Sequence, residues 1–228
     1  MIITAHQPAY LPWLGYFDKI LKSDIYVFMD TVQYEDRSFI NRNKIKTSQG
    51  TMWLTVPVKS KGYRETNLLS LQIDNSQNWR KKHLNAIWLN YKKAIRFEEL
   101  YPKLEKLYLS NHDLLVDLCY EQLLFWLCEI GISKKIVRLS ELGINSSKSD
   151  LILDICKALE AKQYISGALG KNYLEEEAFS REGIEIIYQD YRHPVYPQLW
   201  GDFVPNMSIL DFWMNTANTD LIMSSNEY

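Results

Sequence analysis

Two histidines stand where proton chemistry is most accessible. His6 follows the apolar run Met1–Ala5 and opens the turn His6-Gln7-Pro8. His193 lies in Asp190-Tyr191-Arg192-His193-Pro194, soon after the apolar run Ile184–Tyr188. An unperturbed imidazole titrates near about 6.5, so it exchanges a proton close to neutral pH. Either ring suits a general base acting on an acceptor amine or hydroxyl, a role worth about 10²–10⁴-fold in rate. Asp190, three residues before His193, is spaced to orient that ring, and Asp30 closes the apolar run Ile25–Met29 with a second carboxylate. A buried structural histidine accounts for His6 equally well, and turn chemistry accounts equally for Asp190 and Pro194. His83 falls in the stripe Trp79, His83, Ile87, Tyr91, at helical spacing, and reads as packing. His112, near a helix start, reads as exposed.

The stretch Ser166-Gly167-Ala168-Leu169-Gly170-Lys171 follows a short apolar run and precedes a helical pattern, so its amides have the setting of an anion cradle. It is neither a Walker A loop nor GxGxxG, and an ordinary tight turn is the alternative. Asn41, Arg42 and Lys44 supply donors and positive charge in the polar stretch after Asp30. Gln7, Tyr10 and Tyr196 complete the candidate substrate contacts, with Trp13, Tyr16 and Tyr34 as further rings able to stack on a sugar or base. Core packing is the competing account of those rings. No HExxH, CxxC or HxD pattern points to a metal, and no Ser or Cys sits in a nucleophile elbow. These residues name no cofactor.

The elements around them predict the geometry. Strand Met1–Ala5, a helix over Leu14, Phe17, Ile20 and Leu21, and strand Ile25–Met29 read as a βαβ unit, with Pro12 at the helix start. Strands follow at Met52–Val58, Leu69–Ile73, Lys135–Leu139, Tyr164–Ser166 and Ile184–Tyr188, with a basic loop at Lys59–Arg64. The region from about 78 to 133 is predominantly helical, with Phe97–Leu109 and Asn111–Ile130 as two of its helices, the latter capped by Asn111 and ended by Gly131. Further helices are read at Ser147–Leu159, Tyr173–Arg181 and about Met207–Asn215. The expected fold class is α/β, a mainly parallel Rossmann-like sheet flanked by helices, in a single domain over 1–228. Parallel strands would bring His6, Asp30, the Ser166 loop and Asp190–His193 to one rim, where open α/β sheets bind ligands.

Composition narrows the function class. The chain has 228 residues, 46% hydrophobic and 24% charged, with net charge −2, so bulk charge argues against a nucleic-acid partner. No apolar run reaches the roughly 20 residues of a membrane span. The start lacks a basic region and a small-residue cleavage site, which predicts no signal peptide. Cys119, Cys128 and Cys156 lack metal spacing and read as reduced core thiols, which suits the cytoplasm.

Motifs along nearly the whole chain carry a resemblance. They are HQPAYLPWLGYFDKI (6–20), VFMDTVQY (27–34), NRNKIKT (41–47), WLTVPV (53–58), IDNSQNWRKKHL (73–84), SEL (140–142), YISGALGKNYL (164–174), YRHPVYPQ (191–198) and FVPNMSILD (203–211). In these the sequence resembles the WbqC-like family, whose members are bacterial and associated with surface-polysaccharide (O-antigen) synthesis. The resemblance implies a transferase in glycan biosynthesis that moves an acyl or aminoacyl group to an amino sugar or sugar nucleotide, with an acyl carrier as a candidate partner. It carries over no catalytic residue. The opening is also somewhat similar to the HIGH-motif nucleotidyltransferases, in which histidines at the first strand–helix turn hold nucleotide phosphates; Gly15 or Tyr16 stands here in place of the second histidine. Three readings follow. A transferase predicts a cleft with a histidine base and an anion loop. A nucleotidyltransferase predicts ATP at His6 and the glycine loop. A non-catalytic binding protein predicts histidines without carboxylate partners and no cleft joining the strand ends.

Overall fold

The computed structural model describes residues 1–59 and 67–222. Most of the expected basic loop at Lys59–Arg64 lies outside the described residues. β1 (Ile2–His6), α1 (Leu14–Lys22) and β2 (Ile25–Phe28) form the opening βαβ unit. Lys19 and Lys22 lie in the last turn of α1, where the helix dipole favours cations, and the Ser23 hydroxyl donates to the Ile20 carbonyl at 3.0 Å. An excursion then carries the hairpin β3 (Arg42–Thr47) and β4 (Gly50–Thr55), followed by helices α2 (Trp79–Tyr91), α3 (Phe97–Leu109) and α4 (Leu115–Glu129). The chain returns through β5 (Lys135–Arg138), the short α5 (Leu139–Leu142), α6 (Lys148–Ala158), β6 (Gln163–Ser166), α7 (Glu176–Arg181), β7 (Glu185–Tyr188) and α8 (Ile209–Asn215).

The main sheet has the order β5-β2-β1-β6-β7 and every pairing in it is parallel. The α/β reading is therefore correct, including the helical middle. Hairpin β3–β4 forms a separate two-stranded antiparallel sheet rather than an extension of the main one. The strand expected at Leu69–Ile73 is instead a 3₁₀ turn at Leu68–Ser70 with isolated bridges Val58↔Ile73 and Gln72↔Leu114. That stretch meets each of its extended neighbours through a single bridge, which completes no ladder. Helix α4 begins at Leu115, so Asn111 does not cap it. It does end at Gly131: Gly131 donates to Cys128 (3.2 Å) and Ile132 to Leu127 (2.8 Å), with Gly131 at φ +73°. This double closure needs a left-handed residue, which glycine adopts without a Cβ penalty.

Side chains alternate across the sheet, and the two faces bury separate clusters. Tyr26 and Phe28 pack with α1, the middle helices and α8. Ile3, Ala5, Ile25, Val27, Val137 and Tyr164 pack with α6 and Phe179 of α7. Cys119 and Cys156 are buried as expected, whereas Cys128 is exposed.

Candidate functional site

β1 leads to β2 and then β5 on one side, while β6 and β7 lie on the other, so the strand order reverses between β1 and β6. Ligand crevices form at such reversals, outside the strand carboxyl ends. His6 ends β1 and Ser166 ends β6; Asp30 and Asp190 each follow two residues after β2 and β7. All four therefore share one edge of the sheet.

They do not share one face. Thr4 and His6 point to the α1 side, the opposite parity from Ile3 and Ala5. Ser166 has the parity of Tyr164, on the α6–α7 side. The glycine loop closes on that side as a 3₁₀ turn, Ala168–Asn172. Gly170 donates to Gly167 at 2.9 Å, and the Gly170 carbonyl accepts from Tyr173 and Leu174 at 3.1 and 2.9 Å. A Cβ at Gly170 would stand 1.9 Å from Ser166 Oγ. Gly170 is thus set by close approach to Ser166, and the Gly170 amide is spent inside the turn. Lys171 is exposed with its ammonium 5.2 Å from the Tyr188 ring. The loop reads as a packed turn, not as the expected cradle opposite His6.

Asp30 is fully buried and occupied. It accepts from Arg138 Nε (2.8 Å), the Ser140 amide (2.8 Å) and the Ser140 hydroxyl (2.6 Å), and so ties β2 to the start of α5. Asp190 is exposed and does not orient His193, whose Nδ1–H donates instead to the Pro194 carbonyl at 2.9 Å. Tyr10 and Tyr196 are core residues rather than open contacts. The Tyr10 hydroxyl meets His83 Nδ1 at 2.8 Å and also Tyr108; Tyr196 donates to Asp211 Oδ2 at 2.8 Å. His83 Nε2–H donates to the Thr55 carbonyl at 3.1 Å, so its Nδ1 accepts from Tyr10, and Tyr108 must then donate to Tyr10. Asn41 is buried and pairs its side chain with the Val56 carbonyl at 2.9 Å. His112 is not free at the surface, for its Nε2 lies 2.7 Å from Glu121.

What remains around His6 is a compact set on the α1 side. Its Nδ1–H donates to the Gln7 carbonyl at 2.9 Å, which fixes the tautomer and leaves the Nε2 lone pair as an acceptor. The ring packs edge-on against Tyr16 (4.8 Å) and Trp13 (5.4 Å). Burial, aided by the Lys19 charge, lowers His6 to about 3, so the imidazole is neutral at pH 7. That overturns the expectation of an unperturbed titration near 6.5.

Lys19 is the residue that sequence reasoning missed. It is only 4% exposed, and its Nζ lies 3.4 Å from the Ala5 carbonyl, the peptide that precedes His6. Burial brings its ammonium down to about 8, against partial support from Asp18. The signal was present: Lys19 follows Tyr16 by three residues, one helical turn along the same stripe. Asp18 itself is held by Lys22 (3.0 Å) and by Gln189 Nε2 (2.6 Å). Gln189 also donates to the Gly15 carbonyl at 2.8 Å, so the segment after β7 crosses onto the start of α1. Tyr191 follows it to Gly15, where a Cβ would stand 3.0 Å from the Tyr191 ring. Among the described residues the Tyr191 hydroxyl, His193 Nε2 and Ser208 Oγ are buried without hydrogen-bond partners. Arg42 and Lys44 stand beside this set on β3, their cations 4.2 and 4.9 Å from the Trp53 ring. A concavity of about 380 Å³ opens at the opposite, amino-terminal end of the sheet, where Lys157 and Glu182 pair at 3.1 Å. It holds none of the rim residues.

The sequence model of the WbqC-like protein family matches residues 7–222. Uncharacterized protein Rv1507c of Mycobacterium tuberculosis (strain ATCC 25618 / H37Rv) is 36% identical over 213 residues, covering 92% of each chain. No solved structure is significantly similar. The matched span takes in the opening turn, the hairpin, the helical middle and α8, and on that extent the chain belongs to the WbqC-like protein family.

Proposed function

We propose that this protein is a bacterial group transferase of surface-glycan biosynthesis, moving an acyl or aminoacyl group onto an amino sugar or its nucleotide-activated form. The observation that carries the reading is a buried lysine amine beside a neutral, tautomerically fixed histidine at the reversal of strand order. A neutral amino-sugar amine attacks the donor carbonyl and must shed one proton from its nitrogen as the C–N bond forms. A lysine lowered to about 8 keeps a free-amine fraction near neutral pH that can take that proton, whereas an imidazole at about 3 is a far weaker base. Lys19 therefore takes the proton and His6 Nε2 accepts a hydrogen bond from the acceptor, aiming its lone pair at the donor carbonyl. The new C–N bond forms as the carbonyl oxygen gains charge. Collapse of the adduct expels the carrier's thiolate or alkoxide, which takes the proton back from Lys19.

The protein is assigned to the cytoplasm as one working domain over 1–228. Three free cysteines support a reducing compartment, and among the described residues no helix is long and apolar enough to cross a membrane. One observation favours a non-catalytic binding protein: among the described residues no carboxylate hydrogen-bonds to His6 or His193, although the Asp211 charge reaches His193. A backbone carbonyl fixes a tautomer equally well, and a binding scaffold gives no reason to bury Lys19. The test is transfer of a radiolabelled acyl group from acyl carriers or coenzyme A to amino sugars, for the parent protein and Lys19→Met. Transfer that is lost about 10²–10⁴-fold in the variant supports the reading. Transfer undiminished in the variant removes Lys19 from it, and no transfer to any amino acceptor removes the reaction.

A further inference from the structure

The hairpin presents a surface that core packing does not explain. Arg42 and Lys44 are two apart on β3 and so share a face, and Trp53 on β4 is the direct partner of Lys44 in the ladder. Trp53 is 38% exposed and Phe39, 5.8 Å away, is 44% exposed. Phe39 lies 5.4 Å from Trp13, and Trp13 lies 5.4 Å from His6. Three ring-to-ring steps thus run from the hairpin cations to the imidazole. Among the described residues neither Arg42 nor Lys44 forms an ion pair; the Arg42 guanidinium donates to the Arg37 carbonyl through Nη2, while its Nε is buried without a hydrogen-bond partner.

We propose that this surface binds the nucleoside diphosphate end of a sugar nucleotide. The base stacks on Phe39 and Trp53, the diphosphate pairs with Arg42 and Lys44, and the sugar lies over Trp13 with its amine at His6. The chemistry of each part matches. Aromatic faces stack on any nucleobase, at about 1–3 kcal/mol per base. A guanidinium fork takes two phosphate oxygens, and an ammonium adds a point charge. Two like charges held against one ring repel each other until an anion lies between them. A nucleic acid finds no bulk positive charge on a chain of net charge −2. The assignment of the sugar end rests on the transferase reading, while the nucleotide end stands on the hairpin alone.

The test is direct binding to the full chain, by calorimetry and by quenching of tryptophan fluorescence, with UDP, uridine, inorganic pyrophosphate and an eight-nucleotide RNA as probes. UDP is expected to bind at least tenfold more tightly than uridine or pyrophosphate, with salt weakening it. Trp53→Ala, and separately Arg42→Ala with Lys44→Ala, should each weaken UDP at least tenfold. Trp53→Phe, which keeps a ring and guards against misfolding, should restore most of the affinity. Lys157→Ala, at the opposite end of the sheet, should leave UDP binding unchanged. UDP affinity indifferent to both sets of hairpin changes, or RNA binding more tightly than UDP, overturns the proposal. UDP binding that depends on Trp53, in a protein with no transfer activity, upholds the hairpin and refutes the transferase.

Discussion

Lys19→Met is the perturbation whose outcome follows most directly from the structure. Methionine keeps the unbranched apolar shape of the lysine stem and removes the amine. Lys19 is lowered from 10.5 to about 8 because burial penalises its ammonium. Each pKa unit corresponds to about 1.4 kcal/mol, so a charged Lys19 costs the fold on the order of 3 kcal/mol at pH 7. The sign follows from proton binding. Between about 8 and 10.5 the unfolded chain holds a proton on this lysine that the folded chain has released, so raising the pH through that window adds stability. Below about 8 both states are protonated and the full cost is present. Lys19→Met should therefore be more stable than the parent by about 1–3 kcal/mol at pH 7, the spread allowing for imperfect packing of the thioether. In a chain of this length that is about 2–4 °C in Tm for each kcal/mol. The advantage should shrink from pH 8 and vanish near pH 10.5, while transfer activity is lost at every pH. The assay is thermal or urea unfolding of both proteins from pH 6 to 10.5, read as their difference so that other titrations cancel. A variant less stable than the parent at pH 7, or a difference independent of pH, refutes the claim that Lys19 is held at a cost for function.

Four further outcomes are expected. His6→Asn and His193→Asn should both fold, and only His6→Asn should reduce turnover severely in a steady-state transfer assay. Asp30→Ala strands Arg138 and the Ser140 donors, and should cost about 3 kcal/mol in urea melts, the low end for a broken buried pair because Arg138 is partly exposed. Gly170→Ala should cost about 1–3 kcal/mol through the Ser166 clash, and Ser166→Ala should recover part of it, a non-additivity that a double-mutant cycle measures. His6 and His83, held near 3 and 4 by burial, stay neutral in the fold while the unfolded chain protonates them below about 6.5, so stability should fall as pH drops from about 6.5 to 4; His83→Gln should flatten that slope in pH-dependent melts.

Much of the fold was legible because local chemistry and tertiary context agreed. The opening βαβ unit announced itself by an apolar run, a proline turn, a helical stripe and a second apolar run, and the pairing of β1 with β2 follows from it. The end of α4 could be read from Gly131, since the left-handed closure there needs glycine. The failure came where an apolar stretch meets its extended neighbours only through isolated bridges. Leu68–Ser70 turns as a 3₁₀ segment because Leu71 and Ile73 accept and donate across to the start of α4 rather than along a ladder. No window of sequence reveals that a partner is a helix start some forty residues on.

The candidate site was legible along one coordinate and hidden along another. Strand ends give the edge, and four of the expected residues reached it. The face depends on parity counted within each strand, and the count is meaningful only once the register is known. With Thr4 opposite Ile165 and Tyr26, His6 falls on the α1 face and Ser166 on the other. One residue of slip in β6 would have reversed that result and brought the glycine loop to His6. Parity is also what promotes Lys19. A helix covering the His6 face must send some side chain back toward the end of β1, and the position one turn after Tyr16 is the one that does so. An apolar residue there would have sealed the sheet. A lysine leaves a buried amine next to a neutral imidazole, an arrangement that costs stability and that a purely structural role gives no reason to keep.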